Sequence, residues 1–314
     1  MDAPRYTRED LLAWAQGPEE ALFARARHLT QTFAARTFDM CSIVNGKSGR
    51  CPEDCKWCAQ SAHHPTACDV HALISPETCL RHARANEAVG IRRFSIVNSG
   101  RKPTAQELAG VCALVRLLRQ ETRLELCASL GLLNEAELRA LYEAGIRRYH
   151  CNLEAAPARF ARLCSTHTQA DKLATLRAAR RVGMEICSGG IIGMGESESE
   201  RIDLALALRA LFDEAAATPS IPLNILSPIP GTPLASQPLL PERDILRTVA
   251  LFRLAHPTAA LRFAGGRARL SPETLDAALR LGINAAIEGD LLTTLGNTVA
   301  QDRTHILSAG YTLP

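Results

Sequence analysis

An α/β architecture of eight parallel strand-helix units, closed as a (β/α)8, TIM-type barrel, is the fold class that this 314-residue sequence predicts. Three observations carry the prediction. From Thr37 onward, short apolar runs alternate with segments whose apolar residues recur about every 3.6 positions. Eight such runs can be counted. Several of the helical segments end at a glycine just before the next run, as helix C-termini often do. Periodicity alone leaves a doubly wound sheet open.

Residues 1–36 read as two polar-faced helices, a helical cap with no visible chemistry, and residues 37–314 as one barrel domain. The runs are MCSIVN (40–45), RFSIVNS (93–99), LELCASL (124–130), RRYHCNL (147–153), MEICSGGII (184–192), IPLNIL (221–226), ALRFAG (260–265) and INAAIEG (283–289). Between them lie helical patterns such as PETCLRHARANEAVG, NEAELRALYEAG, DKLATLRAARRVG and ERDILRTVALFRLA. The Pro-rich stretch SPIPGTPLASQPLLP (227–241) reads as a loop within the domain. In such a barrel the active site sits at the C-terminal mouth of the strands, and inward-pointing residues alternate along each strand.

Composition narrows the function. With 46% hydrophobic and 22% charged residues the chain is globular. Its net charge of +3 is spread, and no Lys/Arg run alternates with aromatics, so nucleic acid is not an expected partner. The opening MDAPRYTREDLLAWAQGPEE is acidic early and has no long apolar stretch, which reads as neither a signal peptide nor a membrane span and predicts a cytoplasmic protein. Eleven cysteines in that compartment point to thiolate chemistry or metal binding rather than disulfides.

The segment CPEDCKWCAQS (51–61) sets Cys51, Cys55 and Cys58 in a loop directly after the first candidate strand. Three thiolates are soft ligands suited to an iron-sulfur cluster, and they leave one iron open to another donor. A zinc site wants four closed protein ligands, and no fourth Cys or His stands at a finger-like offset. His63 and His64 follow closely and read as solvated loop residues. Cys79 and Cys112 fall in helical patterns among apolar neighbours, where a free Cys packs as a small hydrophobe. Cys151 alternates away from Asn152 and is expected to face the helices.

The CxxxCxxC spacing after a first strand resembles the radical S-adenosylmethionine (SAM) superfamily. That resemblance implies a 4Fe-4S cluster on Cys51, Cys55 and Cys58, whose open iron chelates SAM, and reductive SAM cleavage to a 5′-deoxyadenosyl radical. Further segments, CSIVNGKSGRCPEDCKWCAQS, LCASLG, YHCNLE, CSGGIIGMGE, PLNILSPIPGTPL, LRFAGGR and LLTT, resemble the biotin synthases from about Cys41 to Thr294. The family likeness implies sulfur insertion into dethiobiotin, with sulfur supplied by an auxiliary iron-sulfur cluster. A small electron donor such as flavodoxin or ferredoxin is implied too, and a homodimer is compatible with the likeness.

By the same resemblance Asn152 and Glu154, two apart on the fourth strand, would hold ribose hydroxyls and the substrate's ureido ring, and Asn224 would pair with that ring. An amide in an apolar strand costs energy unless it is paired. Gly193 and Glu196 of CSGGIIGMGE, with their neighbouring glycines, would lie along SAM. Lys172 stands where the family has an arginine near the SAM carboxylate, keeping the charge but losing the bidentate fork. The auxiliary cluster would be held by Cys41, Cys127 and Cys187 from the first, third and fifth candidate strands, with Arg262 from the seventh. Ser95, on an even strand, replaces a family cysteine that would help hold a 2Fe-2S cluster. Cys164 in RLCSTHT is a rival fourth ligand that would suit a four-iron type if its loop folded inward. Related radical SAM mutases or lyases, of the methylornithine-synthase or hydrogenase-maturation type, are the alternative reading. A non-catalytic iron-sulfur scaffold would leave YHCNLE, PLNIL and GMGE unexplained.

Overall fold

The computed structural model describes residues 2–213, 219–289 and 299–313. LLTT (291–294) lies outside the described residues. The strands are β1 (Asp39–Lys47), β2 (Arg93–Asn98), β3 (Glu125–Ser129), β4 (Arg148–His150), β5 (Glu185–Cys187), β6 (Gly190–Ile192), β7 (Ser220–Ile225), β8 (Ala260–Phe263) and β9 (Ile283–Glu288). All pair in parallel, in the order β5-β4-β3-β2-β1-β9-β8-β7-β6, and β5 also meets β7, so the sheet closes on itself. It is an eight-stave barrel whose fifth stave, MEICSGGII in sequence, is broken into β5 and β6.

The break has a local cause. A Cβ on Gly189 would stand 1.9 Å from the carbonyl oxygen of Pro222. Only glycine permits that approach of two backbones.

Along β1 accessibility alternates strictly. Met40 and Val44 are buried in the apolar layer between strands and helices, whereas Cys41 and Ile43 point into the barrel. The period of two therefore sorts core residues from site residues. Outside the strands lie α3 (Pro76–Ala88), α4 (Ala105–Glu121), α5 (Glu135–Ala144), α6 (Pro157–Leu163), α7 (Gln169–Arg181), α8 (Glu198–Asp213), α9 (Glu242–Ala255) and α10 (Pro272–Leu281). Capping boxes start α4, α5 and α7 at Thr104, Asn134 and Thr168, each side chain accepting from the third residue's backbone N–H.

The N-terminal helices α1 (Arg8–Gln16) and α2 (Glu19–Phe33) pack on α8, α9 and α10. Helix α11 (Val299–Ser308) leads the chain back beside β1, where Phe38 N–H donates to Thr312 O and the Phe38 and Tyr311 rings meet edge to face. Among the described residues no helix is long and apolar enough to cross a membrane.

Candidate active site

The loop after β1 is held in shape before any ligand is considered. Cys51 N–H donates to Gln60 O, Ala62 N–H to Cys51 O, and Cys58 N–H to Cys55 O. Ser61 Oγ donates to Glu53 O. His63 and His64 are not merely solvated: their Nε2 atoms meet the carbonyls of Pro52 and Cys55 at 2.9 and 3.0 Å. The three thiols thus share one tight loop. Burial raises the pKa of all three, that of Cys58 to about 11. Neutral thiols are what such a loop holds when no metal replaces their protons.

Around the loop stand Lys172 and Glu154. Lys172, on α7, is buried with Nζ 5.7 Å from the Phe160 ring centroid. Burial opposes its charge, but Cys151, Glu154 and Cys55 outweigh burial and raise its pKa. Glu154 adopts φ +69, a conformation uncommon outside glycine. Its Oε2 is buried with no hydrogen-bond partner among the described residues, and burial raises its pKa despite Lys172 and His150. Asn152 and Glu154 lie beyond the end of β4 rather than on the strand. Asn152 lines the barrel cavity and its Oδ1 accepts from Gly189 N–H at 3.0 Å.

The cavity, about 310 Å³, runs down the barrel axis. Amides mark its mouth: Asn152, and Asn224 of β7. Asn224 is already paired, Nδ2 donating to Gly190 O at 3.3 Å and Oδ1 accepting from Gly265 N–H at 3.0 Å. The two asparagines therefore hold the frayed edges of the broken stave.

Deeper lie Cys41, Cys127, Cys187, Ser95, Arg148, His150 and Arg262. The three thiols that sequence singles out do converge, and Ser95 converges with them. The registers explain why: Ser95 pairs with both Ile43 and Cys127, so an even-strand residue reaches the same depth. Burial raises Cys41 to about 11 and Cys127 to about 12. Cys187 moves the other way, to about 7, because a hydrogen bond and charge from His150, with Arg262 and Arg148, outweigh its burial. His150 and Arg148 are functional candidates that sequence reasoning missed; their signal is period-two spacing with Asn152.

Arg262 is 3% exposed and donates Nη1 to Asp39 O and Ala286 O and Nη2 to Asp39 Oδ2, at 3.0, 2.9 and 2.6 Å. Arg93 and Arg148 also face Asp39, at 3.3 and 3.7 Å, forming the charged floor of the barrel. Asp39 consequently keeps a lowered pKa against its burial.

One expectation changes. Cys164 does not fold in toward Cys41, Cys127 and Cys187; it ends α6 beside the motif loop, with Sγ 3.7 Å from Cys55 Sγ. That loop is drawn there by Asp54, which accepts from Ser165 N–H at 2.8 Å and Thr166 N–H at 3.2 Å. Gly193 and Glu196 bond to each other and to a neighbour: Glu196 Oε1 accepts from Gly193 N–H at 2.7 Å and pairs with Arg201 at 3.2 Å, while its Oε2 is buried with no hydrogen-bond partner among the described residues. Cys151, Cys79 and Cys112 are buried in the apolar layer outside the barrel.

A closed parallel barrel with three loop thiols after β1 and a deep, thiol-lined axial cavity defines a radical SAM enzyme. The Radical SAM superfamily model matches residues 47–208, and the Biotin and Thiamin Synthesis associated domain matches residues 222–312. The biotin synthase of Porphyromonas gingivalis is 52% identical over 294 residues, covering 94% of this chain and 88% of its own. That of Parabacteroides distasonis is 46% identical, with 100% and 94% covered. The chain belongs to the biotin synthase family. Among solved structures, methylornithine synthase superposes with a TM-score of 0.83 at 15% identity, covering 99% of this chain and 95% of its own. The FeFe-hydrogenase maturase HydG of Carboxydothermus hydrogenoformans also reaches 0.83, at 16% identity, with 98% and 76% covered. Those two likenesses describe the shared barrel; family membership rests on the relatives of high identity.

Proposed function

We propose that the chain joins sulfur to dethiobiotin within the axial cavity, using sulfur from an auxiliary iron-sulfur cluster held by Cys41, Cys127 and Cys187 and bordered by Arg262. The observation that carries the reading is the convergence of three strand thiols at one depth of a cavity whose mouth bears two amides. Soft thiolates suit iron and sulfide. Cys127 and Cys187 are buried, Cys41 is partly so, and all three line the cavity rather than the apolar layer that takes Cys79, Cys112 and Cys151.

Cys51, Cys55 and Cys58 would hold the 4Fe-4S cluster that, with SAM, supplies hydrogen abstraction from unactivated carbon. Glu154, with an unsatisfied buried oxygen, would accept a ribose hydroxyl. Lys172 would balance the charge of the neighbouring thiolates and of a bound carboxylate. Gly193 and Glu196 would shape the wall along SAM. Asn152 and Asn224 would present their remaining hydrogen-bonding capacity to the ureido group while fixing the broken stave. His150 would donate to Cys187 and keep its thiolate available at neutral pH. Arg262, cationic and bonded to Asp39, would stabilise negative charge on the sulfur site from β8. Residues 37–314 would act as one catalytic unit, with 1–36 as its helical cap. Reducing power would come from a small cytoplasmic flavodoxin or ferredoxin, and a homodimer is the proposed assembly.

Iron and sulfide analysis with Mössbauer spectroscopy, run on reconstituted wild type, Cys127→Ala and Ser95→Ala, tests the ligand set. The expected result is loss of all iron beyond the motif cluster in Cys127→Ala and its retention in Ser95→Ala. Full retention in Cys127→Ala overturns the auxiliary site.

A further inference from the structure

Beside the motif loop the fold sets Cys164 and His167, which the proposed sulfur insertion does not use, against Cys55, which it does. Cys55, Cys164 and His167 each bring a ligand atom within 4.8 Å of the others. Cys164 Sγ lies 3.7 Å from Cys55 Sγ, 3.9 Å from His167 Nε2 and 3.2 Å from Asp54 Oδ1. We propose that Cys55, Cys164 and His167 form a mononuclear site for one soft divalent cation in the cluster-free chain, and that this ion and the motif cluster exclude each other through their common ligand Cys55. The exclusion rests on the motif cluster being held by Cys51, Cys55 and Cys58; the ion site does not.

The spacings suit a tetrahedral ion. Metal-sulfur bonds of about 2.3 Å place two thiolates about 3.8 Å apart, and a metal-nitrogen bond of about 2.0 Å places sulfur and nitrogen about 3.5 Å apart. The imidazole is held by a carboxylate. Its Nδ1, 3.3 Å from Cys164 Sγ, donates to Glu53 Oε2, which leaves the lone pair on Nε2, 3.9 Å from the same sulfur, in the carboxylate-histidine pairing that supports metal ligation elsewhere. Glu53 is itself anchored by Thr166 Oγ1 at 2.7 Å and Arg101 at 3.5 Å. Asp54 Oδ1, which faces the Cys164 sulfur, is the nearest fourth donor. Cys164 and His167 are both buried, so an ion replaces thiol protons without leaving a solvated charge behind. The balance is simple: the cation enters, the two thiols release one proton each, the imidazole stays neutral, and net charge is unchanged. No oxidant is required.

Anaerobic titration of the cluster-free full chain with Co²⁺ alone reads the site directly, because tetrahedral thiolate ligation gives visible d–d bands and near-ultraviolet charge transfer. One Co²⁺ per chain is expected in the wild type, Cys51→Ala and Cys58→Ala. Cys164→Ala and Cys164→Ser should bind at least about tenfold more weakly, and Glu53→Gln about 10- to 100-fold more weakly, the range for groups that orient a ligand. Circular dichroism melts confirm that the variants are folded. The wild type reconstituted with its motif cluster should take up no Co²⁺ with this spectrum. Unchanged binding in both Cys164 variants overturns the site, as does abolished binding in Cys51→Ala and Cys58→Ala, which would place the ion on the motif thiols. Co²⁺ uptake by the reconstituted chain with the same spectrum overturns the exclusion.

Discussion

Replacing Arg262 by Met separates two roles that its position combines. The guanidinium is buried on the barrel floor and holds Asp39 Oδ2 at 2.6 Å. Removing one partner of a buried pair costs about 3–5 kcal/mol, chiefly because the other charge is left uncompensated. Here Asp39 keeps Arg93 at 3.3 Å and Arg148 at 3.7 Å, so the cost should fall at the lower end, about 3 kcal/mol. With an unfolding entropy of about 2.1 cal/mol/K per residue, each kcal/mol moves the melting temperature of this 314-residue chain by about 1.5 °C, so Arg262→Met should melt about 5 °C lower. Adding Asp39→Asn takes the counter-charge from Arg93 and Arg148 and should not restore that loss. Iron behaves differently if Arg262 serves the sulfur site: both the single and the double variant should lack the iron beyond the motif cluster. Thermal melts by circular dichroism and iron analysis on the same reconstituted samples provide both readouts. If both variants keep full iron, Arg262 braces the floor and nothing more. If the single variant melts like the wild type, the ion-pair reasoning fails.

Cys55→Ala should abolish 5′-deoxyadenosine formation from SAM by reconstituted protein; undiminished product removes the motif loop from cluster binding. Asn224→Ala leaves Gly190 O and Gly265 N–H without their side-chain partner, and buried unsatisfied groups cost about 1–3 kcal/mol each. It should therefore lower stability and raise the KM for dethiobiotin about ten- to a hundredfold while sparing substrate-free SAM cleavage; a normal KM places the ureido contact elsewhere. His256 tests pH linkage away from any metal. Burial, with Arg209 and Arg253, holds its pKa down at about 3, against a hydrogen bond with Ala205 O. A depressed folded-state pKa gives stability that is complete above the unfolded value near 6.5 and is lost as pH falls toward 3. Between pH 7 and 5 this group should cost about 2 kcal/mol. In urea unfolding at both pH values His256→Gln should show a correspondingly smaller acid loss, and an identical pH dependence refutes the linkage.

What sequence could reveal follows from how local each constraint is. The CPEDC-KWC loop is legible because three thiols lie within eight consecutive residues, and β1 is legible because one strand's alternation separates Cys41 and Ile43 from Met40 and Val44. The break in the fifth stave is not legible: the glycine at 189 is needed only because Pro222 O, on another strand, comes so close. Asn224 shows the same limit from the other side. An amide in an apolar run demands partners, yet the backbone groups it meets exist only because the stave is broken.

Ser95 carries the consequence furthest. Counting strands assigns it to a different layer from Cys41, Cys127 and Cys187, since layers draw on alternate strands. The register between β2 and β3 instead sets Ser95 directly against Cys127, and Ser95 lines the same cavity. Ser95, where the family likeness implies a cysteine, thus lies within the proposed sulfur site itself. Nitrogen-bearing side chains line the same cavity: His150, Arg262 and Arg148 lower the Cys187 pKa against its burial, and Ser220 Oγ stands 3.2 Å from its sulfur. A site of three strand thiols with Ser95, His150 and Arg148 beside them would stabilise thiolate and sulfide charge through hydrogen bonds and cations as well as through iron. In such a site His150→Ala should weaken retention of auxiliary iron even though the three strand thiols remain, and iron retention equal to the wild type in that variant would confine His150 to packing.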